Sequence, residues 1–497
     1  MSEASPRFAG RIQRADLIAI AVLLGLTAIA AWNRFVYDAW LTRHDLLTFF
    51  LPWMGYLGER LRDFDIPGWD PYLFSGHPFA GDPESGWMFL PAMLAFPFFG
   101  AITALKVMIV LQLIVAGTTT YWLGRLLGLG AVASLIAAVI FEFGQFLQYV
   151  TYCCTVRGFV AMWLPLALIG VELAFRATRW RDRVAPWFLT GFAISQMFAG
   201  WMGQGVVVAL LVIAAWVGYR SLLSPPQGGW DVQTRLVQGV TTGVATVVLG
   251  VALGAAGIFL RLNVNAQTNL AGGDYERLGQ PHAANPLTIE PLILYIFGSG
   301  YTSRAVALGG AALVLTMIAP FLAGRCFGIP YFLGLTLVVY TLMLDTTPLH
   351  ELFYLIPRFQ TLHEHSPHQI STVVAIGPAM LSGAAVEAIR RWRGRWWVLA
   401  LLIVPMAVIV LVGRWLSDIG RWLGWEVYIA AALVTALLIL AIALPVLWRN
   451  AAVLRLANLL PALILVVAFL QPTGVEIAGS ISGNPPDETY RQFFRPD

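Results

Sequence analysis

The sequence predicts an all-α polytopic membrane protein with about 13 transmembrane helices. Of its 497 residues, 58% are hydrophobic and only 12% are charged, whereas about 25% of the residues in a soluble domain are charged. So little polar surface cannot coat a water-soluble globule of this size. The apolar residues also come in long unbroken runs, which the alternating strands of a transmembrane barrel do not give. These observations exclude an ordinary soluble enzyme, a disordered chain and a disulfide-rich secreted domain.

The predicted spans are apolar runs close to the roughly 20 residues that a bilayer-crossing helix needs. The first is too long for a cleavable signal peptide, and no small-residue cleavage site follows it. The run 87–100 is short and contains two prolines, so an interfacial or re-entrant helix is expected there. The spans are 16–33, 102–122, 131–150, 158–176, 186–203, 204–219, 236–260, 305–324, 327–345, 369–389, 396–413, 426–448 and 452–470.

Arginines set the predicted topology, because Lys106 is the one lysine among 31 basic residues. With the N-terminus inside, arginines fall in every connection that should be cytoplasmic, as the positive-inside rule requires. This agreement predicts an odd number of spans and an extracytoplasmic C-terminal tail. The arginines are Arg7, Arg11, Arg14, Arg125, Arg176, Arg179, Arg181, Arg183, Arg220, Arg235, Arg325, Arg390, Arg391, Arg393, Arg395, Arg449 and Arg455.

Long loops and all seven histidines fall on the predicted extracytoplasmic side. The loops are 34–86, 261–304 and 346–368, and the first is expected to contain interfacial helices. Long loops are where binding and catalytic residues usually lie, so any chemistry is expected outside. The chain is thus divided into a multispan domain, 1–470, and a tail, 471–497.

The first outside loop carries the acidic candidates. Asp45 precedes an apolar run, and a helix from Leu46 to Leu61 could lie flat on the bilayer and hold Asp45 at its surface. Asp45 and Asp70 are the catalytic candidates, with Asp45 as a general base. Together with Asp82 and Glu84 they could bind a divalent cation, Mg²⁺ or Mn²⁺, which is the one cofactor that the sequence leaves open. The alternative is that these are solvated loop carboxylates.

Basic and amide side chains at the loop edges are candidates for binding a phosphate or a sugar, and the acids Asp82 and Glu84 are further candidates for binding the substrate. His363, His365 and His368 crowd before a span, but their spacing and Pro367 disfavour a metal site on one helix face. A phosphate contact and a structural cap stay open for them. For residues of the loop 261–304 an ordered polar lid is an equal alternative, and Arg261 and Arg304 could instead be topological anchors. The substrate-binding candidates are His44, Asp82, Glu84, Gln204, Arg261, Arg304, Arg358, His363, His365 and His368.

Glu142 is a carboxyl inside the predicted span 131–150, with Gln145 and Gln148 on roughly the same face. An intramembrane carboxyl is costly, which makes it a functional candidate by default. A neutral glutamic acid that is hydrogen-bonded to a neighbouring helix is an equal alternative.

The motif W-D-P-x-x-x-x-G-x-P, from Trp69 to Pro78, follows a first span and an early acid. In this arrangement the chain resembles the bacterial YfhO-like membrane proteins, which are similar in layout to class C (GT-C) glycosyltransferases. Those are multispan enzymes that use polyprenyl-phosphate sugars. The resemblance covers nearly the whole chain. The further segments that carry it are Gly200 to Gln204, Asn285 to Gly298 with Glu290-Pro291, and Pro357 to Gly383.

The resemblance implies a GT-C-like enzyme of the bacterial cytoplasmic (inner) membrane. It would transfer a sugar, with inversion, from a polyprenyl-phosphate donor to an extracytoplasmic glycan, lipid or protein. Asp45 would help to deprotonate the acceptor hydroxyl, and arginine or histidine would hold the donor's phosphate. No nucleic-acid partner is expected. Two alternatives stay open: a lipid or solute transporter or flippase that depends on Glu142, and a non-catalytic membrane scaffold subunit.

Overall fold

The structure is a computed structural model. It describes residues 12–37, 45–73, 75–152, 154–226, 231–267, 287–297, 307–345, 347–365, 367–389, 392, 395–447 and 451–482. Within these ranges the chain forms α-helices, short 3₁₀- and π-helical turns and two isolated β-bridges. The prediction of an all-α protein is therefore confirmed for the described part of the chain.

Each predicted span in the first half of the sequence coincides with a helix or a pair of helices. The predicted span 131–150 is two helices, because Gly144 lets the chain bend back over the carbonyl of Ile140, where a side chain would collide. The helices are α1 Arg14–Tyr37, α2 Leu51–Arg62, α3 Leu90–Ala95, α4 Ala101–Leu126, α5 Ala131–Glu142, α6 Gln145–Tyr152, α7 Thr155–Ala161, α8 Leu164–Arg176, α9 Arg181–Gly200, α10 Gln204–Gly218 and α11 Val232–Asn265.

The second half follows the same pattern. The last helix continues through Pro461 and Pro472 to Ser482, so the first residues of the predicted tail 471–497 are helical. A 3₁₀ helix, Pro367–Val373, leads into α17. The helices are α12 Ile289–Phe297, α13 Gly309–Ala323, α14 Ile329–Leu342, α15 Pro348–Tyr354, α16 Phe359–His365, α17 Ile376–Ile389, α18 Trp396–Asp418, α19 Trp425–Leu447 and α20 Ala451–Ser482.

Nine of the described helical segments are long and apolar enough to cross a membrane. Three shorter apolar helices, Ala131–Glu142, Gly309–Ala323 and Cys326–Leu342, add to them. The chain is thus a multi-pass membrane protein, as the sequence predicted. The number of crossings and the orientation of the N-terminus stay predictions.

The helices pack as a bundle in which α9 lies against both α8 and α11, and α17 lies against both α13 and α5. Several arginines that the sequence assigns to the inner face are paired with buried acids. Arg125 Nε lies 2.7 Å from Asp16, and Arg220 lies 2.8 Å from Glu172. These arginines therefore join helices in addition to any role in topology.

The predicted helix Leu46–Leu61 is present as a π-helical turn, Leu46–Phe50, followed by α2. Its apolar face does not lie free for the bilayer, because Trp53, Met54 and Leu57 on that face are buried in the protein. The contact is close, since a Cβ on Gly58 would lie 2.6 Å from the carbonyl oxygen of Phe96. Packing within the protein thus holds α2 against the turn that leads into α4.

Glu142 ends α5 and is buried against α1 and α4. Its Oε1 accepts a hydrogen bond from the Thr27 hydroxyl, and its Oε2 packs on Gly117, where a Cβ would collide with it. Among the described residues Oε2 has no hydrogen-bond partner. The geometry is that of a carboxyl wedged between three helices.

Candidate functional site

Arg261, near the end of α11, fastens the turn that carries Asp82 and Glu84. The side chain is only 1% exposed, and its guanidinium donates hydrogen bonds within the protein. The turn 82–87 is thereby tied to the last residues of α9, and the donors of this predicted substrate-binding residue point at protein acceptors. The acceptors are the carbonyl oxygens of Asp82 (3.0 Å), Phe198 (2.9 Å), Trp87 (3.0 Å) and Ala199 (3.0 Å), and the Ser85 hydroxyl (3.4 Å).

Two further hydrogen bonds hold the same turn against the hairpin between α9 and α10. The Met202 N–H donates to the carbonyl of Pro83 (3.1 Å), and the Leu90 N–H donates to Oε1 of Gln196 (2.7 Å). The segment from Asp82 to Leu90 is therefore fixed on the bundle although it has little regular structure.

Three carboxyl groups interact around this turn. Burial raises the pKa of Glu84 to about 7, and the charges of Asp82 and Asp45 contribute to this rise. A hydrogen bond from the Trp201 indole acts in the opposite direction and lowers it. Burial also raises the pKa of Asp82, although the Glu84 N–H donates to its Oδ1 at 2.7 Å. Asp45 is exposed at the start of the helix that leads into α2. Asp82 and Glu84 therefore share one turn, and the charge of Asp45 acts on Glu84.

Asp70 is buried in the turn that joins Trp69 to Pro78. Its backbone forms a pair of 2.9 Å hydrogen bonds with His77, and its Oδ1 accepts the Tyr72 N–H at 2.8 Å. The His77 ring stacks on Trp53, with 5.1 Å between the ring centroids. Asp70 thus caps a tight turn.

His363 and Gln204 meet at the outer end of α10, on the side where the sequence predicts the outside. His363 Nε2 donates to the carbonyl oxygen of Leu342 (2.8 Å), and its Nδ1 lies 3.4 Å from Nε2 of Gln204. His350 also directs its Nε2 at the Leu342 carbonyl (3.2 Å). Burial lowers the pKa of His363 to about 4, so the imidazole is neutral at physiological pH. Its geometry is that of a link between α16, α10 and the end of α14.

An apolar groove of about 340 Å³ lies between α10 and α14. It runs from Tyr219 and Leu223 at one end to Phe353 and Phe359 at the other, beside His363. Gly334 forms part of its wall, and a Cβ built there meets no atom of the described residues within 4 Å. The lining residues are Val208, Leu211, Val212, Ala215, Tyr219, Leu223, Pro330, Tyr331, Gly334, Leu335, Val338, Val339, Leu342, Phe353, Phe359 and Ile370.

Arg157 is a buried residue near this groove that the sequence analysis did not identify. It is 5% exposed, donates to the Ser371 hydroxyl and lies over the Phe146 ring at 5.5 Å. Ser371 follows Ile370, which lines the groove. The sequence signal for Arg157 was an arginine inside an apolar stretch. It lies near the start of the segment Thr155–Arg176, whereas Arg176, which fits the positive-inside rule, lies at the end.

The remaining candidates are placed as follows. Arg358 is exposed, with a φ of 63°, in the turn before α16. His44 and Arg304 lie outside the described residues, and so do the side chains of His365 and His368. Within the described ranges, no three His, Cys, Asp or Glu side chains form a set that could hold a metal ion. The divalent cation therefore stays a prediction.

No protein-family model and no curated protein sequence matches the chain. Among solved structures, ArnT from Cupriavidus metallidurans bound to undecaprenyl phosphate matches with a TM-score of 0.54 and 13% identity, over 94% of this chain and 78% of ArnT. Apo ArnT matches with a TM-score of 0.54 and 12% identity, over 94% and 77% of the two chains. The oligosaccharyltransferase of Archaeoglobus fulgidus in its apo form has a TM-score of 0.42 and 15% identity, over 96% of this chain and 59% of that one.

At these identities the likeness to ArnT shows the fold alone. It extends over 94% of this chain. The chain therefore has the layout of the class C (GT-C) glycosyltransferases, as the sequence predicted.

Proposed function

We propose that this protein is an inverting membrane glycosyltransferase that takes its sugar from a polyprenyl-phosphate donor. Its acceptor would lie on the extracytoplasmic side of a bacterial cytoplasmic membrane. The observation that carries the proposal is the apolar groove between α10 and α14, within a class C layout.

The groove has the shape and chemistry that suit a long apolar tail. Along α10 and the turn after it, the lining extends from Val208 to Leu223, which is about 22 Å at 1.5 Å per residue. The lining side chains are almost all aliphatic or aromatic, so a tail in the groove gains free energy by leaving water. ArnT, which has the same layout, has been crystallised with undecaprenyl phosphate, and this supports a polyprenyl donor here.

The acidic turn lies close to the start of α10, because Glu84 accepts a hydrogen bond from the Trp201 indole. Its carboxyl groups suit a displacement at the sugar's anomeric carbon. The acceptor oxygen forms a bond to that carbon, the bond to the lipid phosphate breaks, and the phosphate leaves with the electron pair. Asp45, exposed at the edge of the site, accepts the proton of the acceptor hydroxyl. Because the pKa of Glu84 is about 7, this carboxyl is partly neutral and reduces the charge repulsion between the acids and an anionic donor.

Arg157 is suited to balance the charge of the donor's phosphate. Its guanidinium lies at the 3₁₀ helix Pro367–Val373, whose Ile370 lines the groove and whose Thr372 packs near Gly205. Arginine is the side chain best adapted to bind phosphate oxygens in a partly buried site. Arg157 is better suited than His363 to bind the phosphate, because the imidazole of His363 is neutral and hydrogen-bonded within the protein.

The Asp45→Asn variant tests the proposal. Membranes that contain the protein would be incubated with a panel of radiolabelled polyprenyl-phosphate sugars, and transfer of label out of the donor would be measured. We expect Asp45→Asn to lower the rate 10²- to 10⁴-fold, the typical contribution of a general base. Asp63→Asn is the matched control, since Asp63 is an exposed carboxylate at the other end of α2, and it should keep at least half of the rate.

An Asp45→Asn variant with the full rate would remove Asp45 as the base. If the wild-type protein consumed no donor in the panel but moved polyprenyl phosphate across liposome membranes, the transferase proposal would be wrong and a flippase would be favoured. Size-exclusion profiles of the variants show that they remain folded.

A further inference from the structure

The turn that ends α2 holds a phenylalanine in a conformation that normally requires glycine. Phe64 has a φ of 55°, a left-handed conformation that a side chain with a Cβ rarely adopts. The Phe64 N–H donates to the carbonyl of Leu61 (3.2 Å), and the Asp65 N–H donates to that of Arg60 (2.9 Å). These two hydrogen bonds form a Schellman motif, in which the position of Phe64 is usually occupied by glycine.

The fold gains no packing from this aromatic side chain, because Phe64 is 99% exposed. Ile66, two residues further along, is 61% exposed. A strained backbone position that carries a large and fully exposed apolar side chain indicates a use outside the folded chain.

The neighbours of this turn show which environment it faces. Arg62 donates to the carbonyl oxygen of Phe96 (3.1 Å), so the end of α2 is attached to the turn that leads into α4. In that turn Phe98 is 76% and Phe99 is 44% exposed. The candidate membrane span Ala101–Leu126 begins two residues later. The turn that contains Phe64 therefore lies level with the end of a membrane span.

We propose that Phe64 and Ile66 insert into the bilayer at the boundary between head groups and acyl chains, beside the start of α4. With Phe98 and Phe99 they form one apolar edge that continues the lipid-facing surface of the span. Large apolar side chains such as phenylalanine bury favourably at this boundary of a membrane. The partner of this edge is lipid, and the inference does not depend on the proposed enzymatic function.

The anchor has a consequence for the acidic site. Asp45 directly precedes the π-helical turn Leu46–Phe50, which continues into α2, and the anchor is at the opposite end of the same helix. A fixed depth for Phe64 therefore sets the height of α2, and of Asp45, above the membrane.

Site-specific photo-crosslinking in lipid nanodiscs tests the anchor. The full-length protein would carry p-benzoylphenylalanine in place of Phe64, and covalent lipid adducts would be measured by mass spectrometry. Tyr72 is the matched control position, because it is an aromatic residue of the same loop and 78% exposed. It lies beside Tyr56, which is two residues from Gly58 and therefore on the opposite face of α2 from the contact with Phe96.

We expect a lipid adduct at position 64 with a yield at least tenfold higher than at position 72. An absence of lipid adducts at position 64, or a cross-link to a second copy of the chain or to another protein, would overturn the proposal. A second variant separates anchoring from folding. Phe64→Gly should keep or raise the thermal stability in detergent, because it relieves the left-handed strain, whereas a clear loss of stability would show that Phe64 serves the fold.

Discussion

The guanidinium of Arg261 donates to the carbonyl oxygen of Asp82 at 3.0 Å, across 179 residues of sequence. This contact fixes the position of the acidic turn, since the same side chain also bonds the end of α9. Local sequence patterns do not determine where Asp82 and Glu84 lie. A single long-range side chain does, together with the hairpin that follows α9.

Replacing Arg261 should therefore destabilise the protein. Arg261→Met keeps much of the side-chain volume but leaves several buried carbonyl oxygens without a donor, at a cost of about 3 kcal/mol or more. The thermal unfolding temperature in detergent should fall by several degrees. The control is Arg358→Met, which changes an exposed arginine and should shift stability by no more than about 0.5 kcal/mol. Equal unfolding temperatures for the two variants would contradict this role of Arg261.

Glu84 should make stability depend on pH. Its pKa is about 7 in the folded protein against 4.5 for an unperturbed side chain. Between these values the folded state binds more protons than the unfolded one. The contribution of Glu84 is therefore fully present below pH 4.5 and is lost as pH rises through 7. After a discount for partial exposure, the loss is of the order of 2 kcal/mol.

Thermal unfolding of the wild type and of Glu84→Gln between pH 5 and 8 measures this effect. The wild type should lose more stability than the variant as the pH rises, because glutamine does not titrate. Parallel curves for the two proteins would show that Glu84 does not titrate in this range.

Gly81 lets the acidic turn approach α11 closely. A Cβ at this position would collide with the Val264 side chain. Gly81→Ala should push the turn away from α11, displace Asp82 and Glu84, and lower sugar transfer at least tenfold. Adding Val264→Ala removes the atom that the new methyl group would strike first and should restore part of the rate. If the second substitution gives no recovery, the loss has another cause than this contact.

Filling the groove should block the donor without harming the fold. A side chain at Gly334 would grow into the open groove, and replacing a helical glycine changes stability by about 1 kcal/mol or less. We expect Gly334→Phe to lower the yield of cross-linking to a photoreactive polyprenyl phosphate, and the rate of transfer, at least tenfold. The matched control is Gly243→Phe, which also points into open space from a helix but does not line the groove. Normal labelling of Gly334→Phe would exclude the groove as the donor site.

The sequence predicts the helices well because a membrane span is a local property of about 20 residues. The break at Gly144 was not predicted, since it depends on how closely the chain folds over Ile140 rather than on composition. The groove was also not predicted from the sequence. Its walls, α10 and α14, are separated by more than a hundred residues, and each reads only as an apolar run.

The candidate site was predicted in part. Asp45, Asp82 and Glu84 were singled out by their position after the first span. In the structure Asp82 and Glu84 share one turn, and the charge of Asp45 contributes to the raised pKa of Glu84. Arg157 and the Trp201 indole were missed as site residues. Their importance arises from contacts with Ser371 and Glu84, which lie far away in the sequence, and no periodicity or motif encodes such a distance.

Two imidazoles share one acceptor at the end of α14, where His350 and His363 both donate to the Leu342 carbonyl. This clasp joins three helices, α14, α15 and α16, into one unit at the mouth of the groove. A ligand that enters sideways from the lipid cannot part those helices singly, because moving one would break a hydrogen bond to the others. A widening of the groove that keeps both hydrogen bonds therefore separates α10 from this unit and gives up the 3.4 Å contact between Gln204 and His363.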